Sequence, residues 1–508
     1  MQYLLGIDLG TSATKTVLFD TDGRPVASAS REYPLMQPRN GWAEQNPEDW
    51  WQAAVQTIRA VLRDAKIDPG SIAGIGFSGQ MHGLVMLDEN DCVIRPAILW
   101  CDGRTGEECG KITQLIGYEQ LLAACGNPAL TGFTAGKILW VKKNEPENFA
   151  RCRKILLPKD YVRYMLCGVS GTDVTDASGT NLLDISTRSW SSMILQKLMI
   201  PQELLPPVHE SCEIVGSVTE TAAALTGLKA GTPVACGSGD NAAAAAGTGV
   251  VVQGKAFTTL GTSGVVYAHS SSLQIDRLGR VHTFCAPVPG EYALMSCTLA
   301  AGLSLHWFRD TLCAEEIARA KEEDIDSYQL LDRLAAEVPI GANGLLFLPY
   351  LMGERSPILD EKSRGVFFGL SAVHTKYDML RAVMEGVVYS QRSCLDILRE
   401  MHAVPERMLA CGGGGTSPLW RQMLADNYCC PVQTVENREG PALGAALMAG
   451  VGAGIYPDLS TACRRVVRYH EQQLPDGNAE CAYTKFYQIY KQLYPALKNS
   501  FRSLAVLR

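Results

Sequence analysis

The chain has 508 residues, 46% of them hydrophobic and 19% charged, which is typical of a soluble globular protein with two large domains. The net charge of -7 and the lack of a Lys/Arg block argue against a nucleic-acid partner. No apolar stretch is long enough to cross a bilayer and no leader pattern precedes the first predicted strand, so no membrane association is expected.

The first predicted elements are two strands joined by a tight turn. An apolar run ends at Asp8, the chain turns on a Gly-Thr-Ser tripeptide, and a second β-rich run follows. Glycine lets backbone N–H groups approach an anion closely, and hydroxyls add donors. A carboxylate beside a phosphate site needs a cation between them, so Asp8 suggests Mg²⁺. Hairpins of this kind also occur as plain turns, and Lys15 either reaches phosphate or is a solvated flanking charge.

The next segments alternate helices with strands that end in polar loops. A helix is predicted over residues 44–63. A strand at 74–78 then leads into a Gly-flanked loop that contains Gln80, Met81 and His82. In α/β folds such loops bind ligands. His82 is suited to hydrogen-bond sugar hydroxyls and Met81 to pack on carbon, although a lone histidine is more often structural.

A second strand-like run, at 97–100, ends at a pair of opposite charges. Asp102 and Arg104 follow it within a short glycine-containing loop. The two side chains either bind hydroxyl groups or form an internal ion pair, and the sequence leaves both interpretations open.

A glycine-rich turn before a run of five alanines carries the clearest candidate for a general base. Asp240 and Asn241 lie at the start of this predicted helix. Phosphoryl transfer to an alcohol needs a carboxylate within hydrogen-bond reach of the hydroxyl. The simpler interpretation is that Asp240 only caps the helix. The predicted domain boundary lies directly after this helix and divides the chain into domains 1–249 and 250–508.

The second half begins with a copy of the first hairpin. Residues 256–267 again form a β-rich run, a Gly-Thr-Ser turn and a second β-rich run. The copies lie about half a chain apart, which favours two related halves over a short-period array. Two such hairpins facing each other across a cleft resemble the arrangement of actin-like ATPase domains. A coincidence of a common turn is the alternative.

Further along, a strand runs into four glycines at 412–415 and then into a helix at 419–426. Such a unit lays bare backbone against a flat base or ribose. An aromatic stripe with helical spacing at 483–490 is interpreted as core packing.

Cysteine usage indicates the compartment. The 17 cysteines are odd in number and scattered without metal-ligand spacing, apart from the adjacent Cys429 and Cys430. This pattern is typical of reduced, mostly buried thiols, so a cytoplasmic location is expected.

Five segments occur in order along the chain: GIDLGTS at 6–12, SGQMHG at 78–83, GFTAGKILWVKKN at 132–144, GSGDN at 237–241, and GVFFGL at 365–370 with the DM and AVME segments that follow it. Together they resemble the FGGY carbohydrate kinases over essentially the whole chain, and most closely the xylulokinase members.

The resemblance implies an α/β fold of the actin-like ATPase (ribonuclease-H-like) type, with two related domains around a central cleft. It implies ATP- and Mg²⁺-dependent phosphorylation of D-xylulose to D-xylulose 5-phosphate, with the sugar on the N-terminal domain and ATP on the C-terminal one. A homodimer is also expected from the resemblance.

The resemblance also implies residue roles. Asp240 is the base that takes the sugar hydroxyl proton, and Asp8 acts near Mg²⁺. The sugar contacts are Gln80, Met81, His82 and Asn241. The nucleotide contacts are Gly10, Thr11, Gly261, Thr262, Gly302, Gly413, Gly414 and Ser417, and Lys15 joins them as a candidate from the hairpin pattern alone. One departure is Gly415. Relatives often have alanine at this position, and the glycine adds backbone freedom.

Three rival functions differ in class. A kinase for another ketose, a polyol or gluconate is the nearest, and the Gln-Met-His loop argues against it. An actin-like ATPase with a protein client would need a client-binding domain, and no segment is left for one. A sugar-sensing regulator would need a DNA-binding module, and none is apparent before the first hairpin.

Overall fold

The computed structural model describes residues 1–437 and 439–507. Its strands are β1 (Tyr3–Leu9), β2 (Ala13–Asp20), β3 (Pro25–Glu32), β4 (Glu44–Gln45), β5 (Ile72–Gly79), β6 (Val85–Leu87), β7 (Ala97–Ile98), β8 (Lys154–Leu156), β9 (Thr172–Asp173), β10 (Leu183–Asp184), β11 (Ser189–Trp190), β12 (Val208–His209), β13 (Ile214–Ser217), β14 (Pro233–Ala235), β15 (Ser238–Gly239), β16 (Lys255–Leu260), β17 (Gly264–Ser270), β18 (His282–Cys285), β19 (Tyr292–Thr298), β20 (Leu346–Leu348), β21 (Val366–Phe368), β22 (Arg407–Cys411) and β23 (Val432–Gln433).

The helices are α1 (Pro47–Ala65), α2 (Gly106–Ile116), α3 (Tyr118–Cys125), α4 (Thr134–Asn144), α5 (Pro146–Arg151), α6 (Pro158–Cys167), α7 (Val174–Ala177), α8 (Ser192–Leu198), α9 (Glu220–Thr226), α10 (Asp240–Thr248), α11 (Gly302–Leu312), α12 (Ala314–Glu322), α13 (Ser327–Ala336), α14 (Lys376–Glu400), α15 (Pro418–Tyr428), α16 (Gly440–Gly452), α17 (Leu459–Val466) and α18 (Gly477–Val506).

Two large mixed sheets repeat one topology. In the first sheet the strands lie in the order β13-β14-β5-β1-β2-β3, and in the second in the order β18-β19-β17-β16-β22-β23. In each, three strands run antiparallel in succession, β1-β2-β3 and β16-β17-β19. The first strand of each set then pairs in parallel with the next one along, β5 or β22. The duplicated hairpins therefore belong to duplicated sheets, as the sequence predicts.

Helix α1 shows how local sequence sets the elements. Asn46 caps it by accepting a hydrogen bond from the backbone N–H of Glu48, Pro47 takes the first position, and Lys66 ends it in the left-handed conformation. Buried residues along one face, among them Trp50, pack this helix on the first sheet. The helix predicted over residues 44–63 is found at Pro47–Ala65, because Glu44 and Gln45 form β4 instead.

The other face of the first sheet is covered by a helix from far along the chain. Helix α16 packs on β1 and β5 and crosses α10. The crossings are backbone to backbone, because a methyl group on Gly76 would lie 1.9 Å from the carbonyl oxygen of Ala445, and one on Gly444 would lie 1.9 Å from that of Ala243. The division at 249/250 stays a prediction.

The second sheet is packed by the long helix α14, which begins with a reciprocal capping box between Thr375 and Asp378. Helix α18 carries the predicted aromatic stripe, and its Tyr483, Tyr487 and Tyr490 are buried, which confirms core packing.

All 17 cysteines are free thiols, ten of them buried. Among the described helices none combines the length and hydropathy that a membrane span requires.

Candidate active site

Asp240 is the first residue of α10 and is partly buried. Its Oδ1 accepts hydrogen bonds from the backbone N–H of Asn241 at 2.7 Å and from the Asn241 side-chain amide at 3.0 Å. Burial, and then the neighbouring charge of Asp8, raise the pKa of Asp240 to about 7. The N-cap position of the helix is Gly239, so Asp240 does not occupy the capping position. A carboxylate with this pKa is suited to accept a proton near neutral pH.

Asp8 lies near the end of β1, where it pairs across the hairpin with Lys15. The Ser78 hydroxyl donates to its Oδ1 at 2.7 Å. Burial raises the pKa of Asp8, and the Ser78 hydrogen bond and the Lys15 charge oppose that rise. Asp8 and Asp240 are thus neighbouring carboxylates in a partly desolvated cleft.

The two carboxylates fit a magnesium ion that is shared with phosphate groups. Mg²⁺ is usually held by one or two carboxylates together with waters and substrate phosphates. No cluster of three or more His, Cys, Asp or Glu side chains is found in residues 1–437 and 439–507, so these residues form no all-protein metal cage. The negative charge of Asp8 raises the pKa of Asp240, and a cation bound between the two carboxylates would relieve this repulsion.

His82, in the loop that follows β5, is held in one orientation. It has a φ of 69°, and its Nδ1 lies 2.6 Å from the carbonyl oxygen of Gly179. Burial, and then the charge of Lys137, hold the pKa of His82 well below its usual value, so the ring is neutral. Because a carbonyl only accepts, Nδ1 carries the proton and Nε2 is left as an acceptor. The ring stacks on Phe133 with centroids 4.4 Å apart.

Met81 and Gln80 contact two other parts of the site. Met81 is buried against the turn before α10, since a methyl group on Gly239 would lie 2.7 Å from its Cγ. Gln80 is also buried, and its amide nitrogen donates to Gln45 Oε1 at 3.2 Å. Met81 therefore lies beside Gly239, the residue before Asp240, and Gln80 lies between β5 and the first hairpin.

A buried charge network supports the turn that carries Asp240. The backbone N–H of Gly239 donates to the Thr175 hydroxyl at 3.0 Å, and that hydroxyl donates to Asp173 at 2.6 Å. Asp173 is paired with the fully buried Lys159 at 2.9 Å. No motif in the sequence singles out these residues, although Asp and Thr are frequent at 172–180.

The tip of the first hairpin is bound by side chains of its own half. The Trp100 indole donates to the Thr11 hydroxyl at 2.9 Å, and that hydroxyl donates to Gln80 at 3.3 Å. The Gln45 amide donates to the Thr11 carbonyl at 2.7 Å. The hydroxyl of Thr11 is therefore tied to the loop that precedes His82.

The second hairpin opens onto a cavity of about 1370 Å³. Six predicted nucleotide residues line it: Gly261, Thr262, Gly302, Gly413, Gly414 and Ser417. The backbone N–H of Gly302 donates to the Gly261 carbonyl at 2.7 Å, and a methyl group there would lie 2.6 Å from that oxygen. Only glycine allows this approach.

The glycine run forms another wall of the cavity. A methyl group on Gly414 would lie 2.6 Å from Leu260 and 2.7 Å from the Trp420 ring. The Ser417 hydroxyl caps α15 by accepting from the Trp420 backbone N–H at 3.0 Å. At Gly415, the unusual position, a methyl group would lie 3.0 Å from the Ala410 backbone, which favours glycine here.

Three predicted nucleotide residues, Gly10, Thr11 and Lys15, do not line this cavity. Lys15 instead forms an ion pair with Glu439 at 2.5 Å, and its side chain is 40% exposed. Their contact with phosphate stays a prediction.

Asp102 and Arg104 form an internal ion pair. The Arg104 guanidinium donates to both carboxylate oxygens of Asp102, at 2.9 and 2.7 Å, and pairs with Glu44 at 2.7 Å. It lies over the Trp42 ring at 3.6 Å. Of the two interpretations left open by the sequence, the structure shows the ion pair.

The cavity has one wall that the sequence did not indicate. Asp326, Tyr328 and Asp332, on and before α13, line this part of the cavity. Polar residues on an amphipathic surface helix carry no motif, so their place became visible only in the fold.

Comparisons with known proteins agree with this geometry. The chain matches the N-terminal domain of the FGGY family of carbohydrate kinases over residues 3–247 and the C-terminal domain over residues 256–453. It is 39% identical to a xylulose kinase of Bacillus subtilis over 508 residues, which is 100% of both chains. It is 39% identical to a xylulose kinase of Lactococcus lactis over 497 residues, 97% of both.

A solved structure gives the same result. The xylulose kinase from Rhodospirillum rubrum is 32% identical and has a TM-score of 0.91, with 99% of this chain and 100% of that chain covered. The predicted two-domain actin-like α/β fold is thereby confirmed. The duplicated sheets, the hairpins and the matches over both halves lead to one conclusion: the chain belongs to the FGGY family of carbohydrate kinases.

Proposed function

We propose that this kinase transfers the γ-phosphoryl group of ATP to O5 of D-xylulose, giving D-xylulose 5-phosphate and ADP. The observation that carries the proposal is Asp240, a carboxylate with a pKa raised to about 7 beside Met81 and Asp8. The similarity to xylulose kinases along the full chain supports the choice of sugar.

The chain's own residues account for proton transfer. The sugar hydroxyl at C5 donates to the free oxygen of Asp240, which takes the proton as the O5–phosphorus bond forms. The bond from phosphorus to the bridging oxygen breaks, and ADP leaves with that oxygen. Asn241 keeps the other oxygen of Asp240 in place through its two hydrogen bonds.

The remaining sugar contacts follow from the orientation of the loop at 80–82. The Nε2 atom of His82 accepts a hydrogen bond from a sugar hydroxyl, because Nδ1 is committed to Gly179. Met81 packs on the carbon chain of the sugar beside the turn.

ATP occupies the large cavity of the second half, with its phosphates directed towards Gly261, Thr262 and Gly302. Mg²⁺ bound to these phosphates, with Asp8 as its protein ligand, would neutralise the charge on the phosphate oxygens. Closure of the cleft excludes water, so that the γ-phosphoryl group meets the sugar hydroxyl rather than water.

The test is ADP release measured over a panel of D-xylulose, D-ribulose, xylitol, glycerol and D-gluconate. We expect D-xylulose to give the highest kcat/KM, and ³¹P NMR to show a phosphate monoester at C5. A preference for another member of the panel would refute the assignment of D-xylulose, and ADP release that no sugar stimulates would refute the sugar kinase.

A further inference from the structure

Arg355 has a half-buried guanidinium that the mechanism does not use. Among the described residues, no oxygen accepts a hydrogen bond from its side chain and no carboxylate pairs with it, although its backbone N–H donates to Glu354 at 2.8 Å. An arginine carries five donors in a planar fork, and the more deeply buried Arg104 and Arg163 have theirs paired with carboxylates. Free donors in a cleft indicate a group that binds something outside the protein.

The backbone around Arg355 is held firmly. Glu354 is buried, and its Oε1 accepts from the backbone N–H of Leu299 at 2.7 Å as well as from that of Arg355. The backbone N–H of Ser356 donates to the Cys297 carbonyl at 3.1 Å. The segment is thus tied to the end of β19, just before the turn at Gly302, while the guanidinium is left free.

The guanidinium reaches across to the first half. A methyl group on Gly132 would lie 3.9 Å from its Nη2. Burial first, and the charge of Arg355 among the further causes, lower the pKa of His82 and bring that of His282 to about 3. Gly132 directly precedes Phe133, which stacks on His82, so Arg355 lies on the His82 side of the cleft.

The chemistry of the sugar indicates which of its atoms lies on the His82 side of the cleft. A 2-ketopentose closes its furanose ring through O5, so a molecule phosphorylated on O5 must bind in the open-chain form. In that form the C2 carbonyl is free, and it lies at the end of the chain opposite the hydroxyl that faces Asp240.

We propose that Arg355 is a specificity-determining residue that donates hydrogen bonds to the C2 carbonyl oxygen of the bound ketose. The assignment rests on the proposed function, because it needs an open-chain ketose in the site. A carbonyl oxygen accepts two hydrogen bonds in its plane, which suits the forked guanidinium. A polyol such as xylitol offers only a tetrahedral hydroxyl at this carbon and gains less from the fork.

The experiment compares Arg355→Gln and Arg355→Lys with Lys362→Gln, an exposed cation seven residues away in the same half. We expect Arg355→Gln to lower kcat/KM for D-xylulose by about 10- to 100-fold, because a charge-assisted hydrogen bond is lost. The inhibition constant of xylitol should change by less than about threefold, because its hydroxyl makes the weaker contact. Lys362→Gln should match the wild type, and Arg355→Lys should lie between the two.

Two readouts separate misfolding from the proposed role. The Kd for ATP and the melting temperature of Arg355→Gln should equal those of the wild type. If kcat/KM for D-xylulose stays within threefold of the wild-type value, the assignment is wrong. It is also wrong if the inhibition constant of xylitol rises by the same factor by which kcat/KM for D-xylulose falls. A wild type active on D-xylulose then leaves the proposed function standing, whereas a wild type inactive on D-xylulose overturns both.

Discussion

The two hairpins share a sequence pattern and a strand pairing, yet they serve different neighbours. Thr11 in the first hairpin is bound by Trp100 and Gln80 of its own half. Gly261 and Thr262 in the second receive backbone hydrogen bonds from the turn at 301–303 and line the large cavity. The same turn thus contacts the loop at 80–82 in one half and forms a wall of the large cavity in the other.

A glycine-hydroxyl turn therefore provides hydrogen-bond donors without determining what they bind. The side chains around each turn decide whether its hydroxyl stays free. Substitutions in the two halves test whether the two turns have different roles, and the largest effect is expected at Asp240.

Asp240→Asn should lower kcat by about 10²- to 10⁴-fold, because an amide cannot accept the sugar proton. The Kd for D-xylulose should change little, since the amide keeps the shape of the site. ADP release and calorimetry measure the two quantities, with the exposed Asp64→Asn as the matched control. A kcat within tenfold of the wild type would remove Asp240 from the role of base.

The second largest effect is expected in the pH profile. Since the base must be unprotonated, kcat/KM for the sugar should fall about tenfold per unit below the pKa of Asp240, near pH 7. Asp8→Asn removes a negative charge that raises this pKa, so the residual activity should keep its plateau to a lower pH. An unchanged acid limb in the Asp8 variant would contradict the coupling of the two carboxylates.

Gly302→Ala should raise KM for ATP by about tenfold, because the added methyl group displaces the second hairpin. Gly10→Ala is the matched change in the first hairpin, where the methyl group would lie 3.2 Å from the Ala13 carbonyl oxygen. There we expect a smaller change in KM for ATP. Equal effects at both positions would mean that the hairpins contact the nucleotide alike.

Thr11→Val should raise KM for the sugar by about three- to tenfold, because it removes the hydrogen bonds to Trp100 and Gln80. KM for ATP should stay near the wild-type value. Thr262→Val should show the reverse pattern. Steady-state kinetics with each substrate varied in turn separate the two cases.

The smallest effect is expected for Lys15→Met, because its charge is paired with Glu439 and partly exposed. KM for ATP should change by less than about threefold, as for other surface pairs. A tenfold increase would instead establish the contact between Lys15 and phosphate.

Much of this architecture was predictable because its signals are local. A cap and a proline mark the start of α1, and a glycine turn before alanines marks that of α10. The glycines at 302 and 414 carry their own signal, since only glycine fits where another backbone or ring approaches.

The remaining parts depend on contacts distant in sequence. The network that fixes the turn before α10 joins Thr175, Asp173 and Lys159 to Gly239, and no local pattern connects them. The choice between ligand and ion pair for Asp102 and Arg104 was decided by Trp42 and Glu44, 58 or more residues away. Arg355 comes close to Gly132 of the first half only through the fold.

The crossing of α10 and α16 has a consequence for how the protein can be divided. Because α16 lies directly on the backbones of β1 and β5, a fragment that ends at residue 249 would expose the face of the first sheet that α16 covers. Such a fragment should be aggregation-prone when expressed alone and should be rescued by co-expression with residues 250–508. Split-protein complementation at this point would therefore report assembly of the two pieces rather than the docking of two independent units.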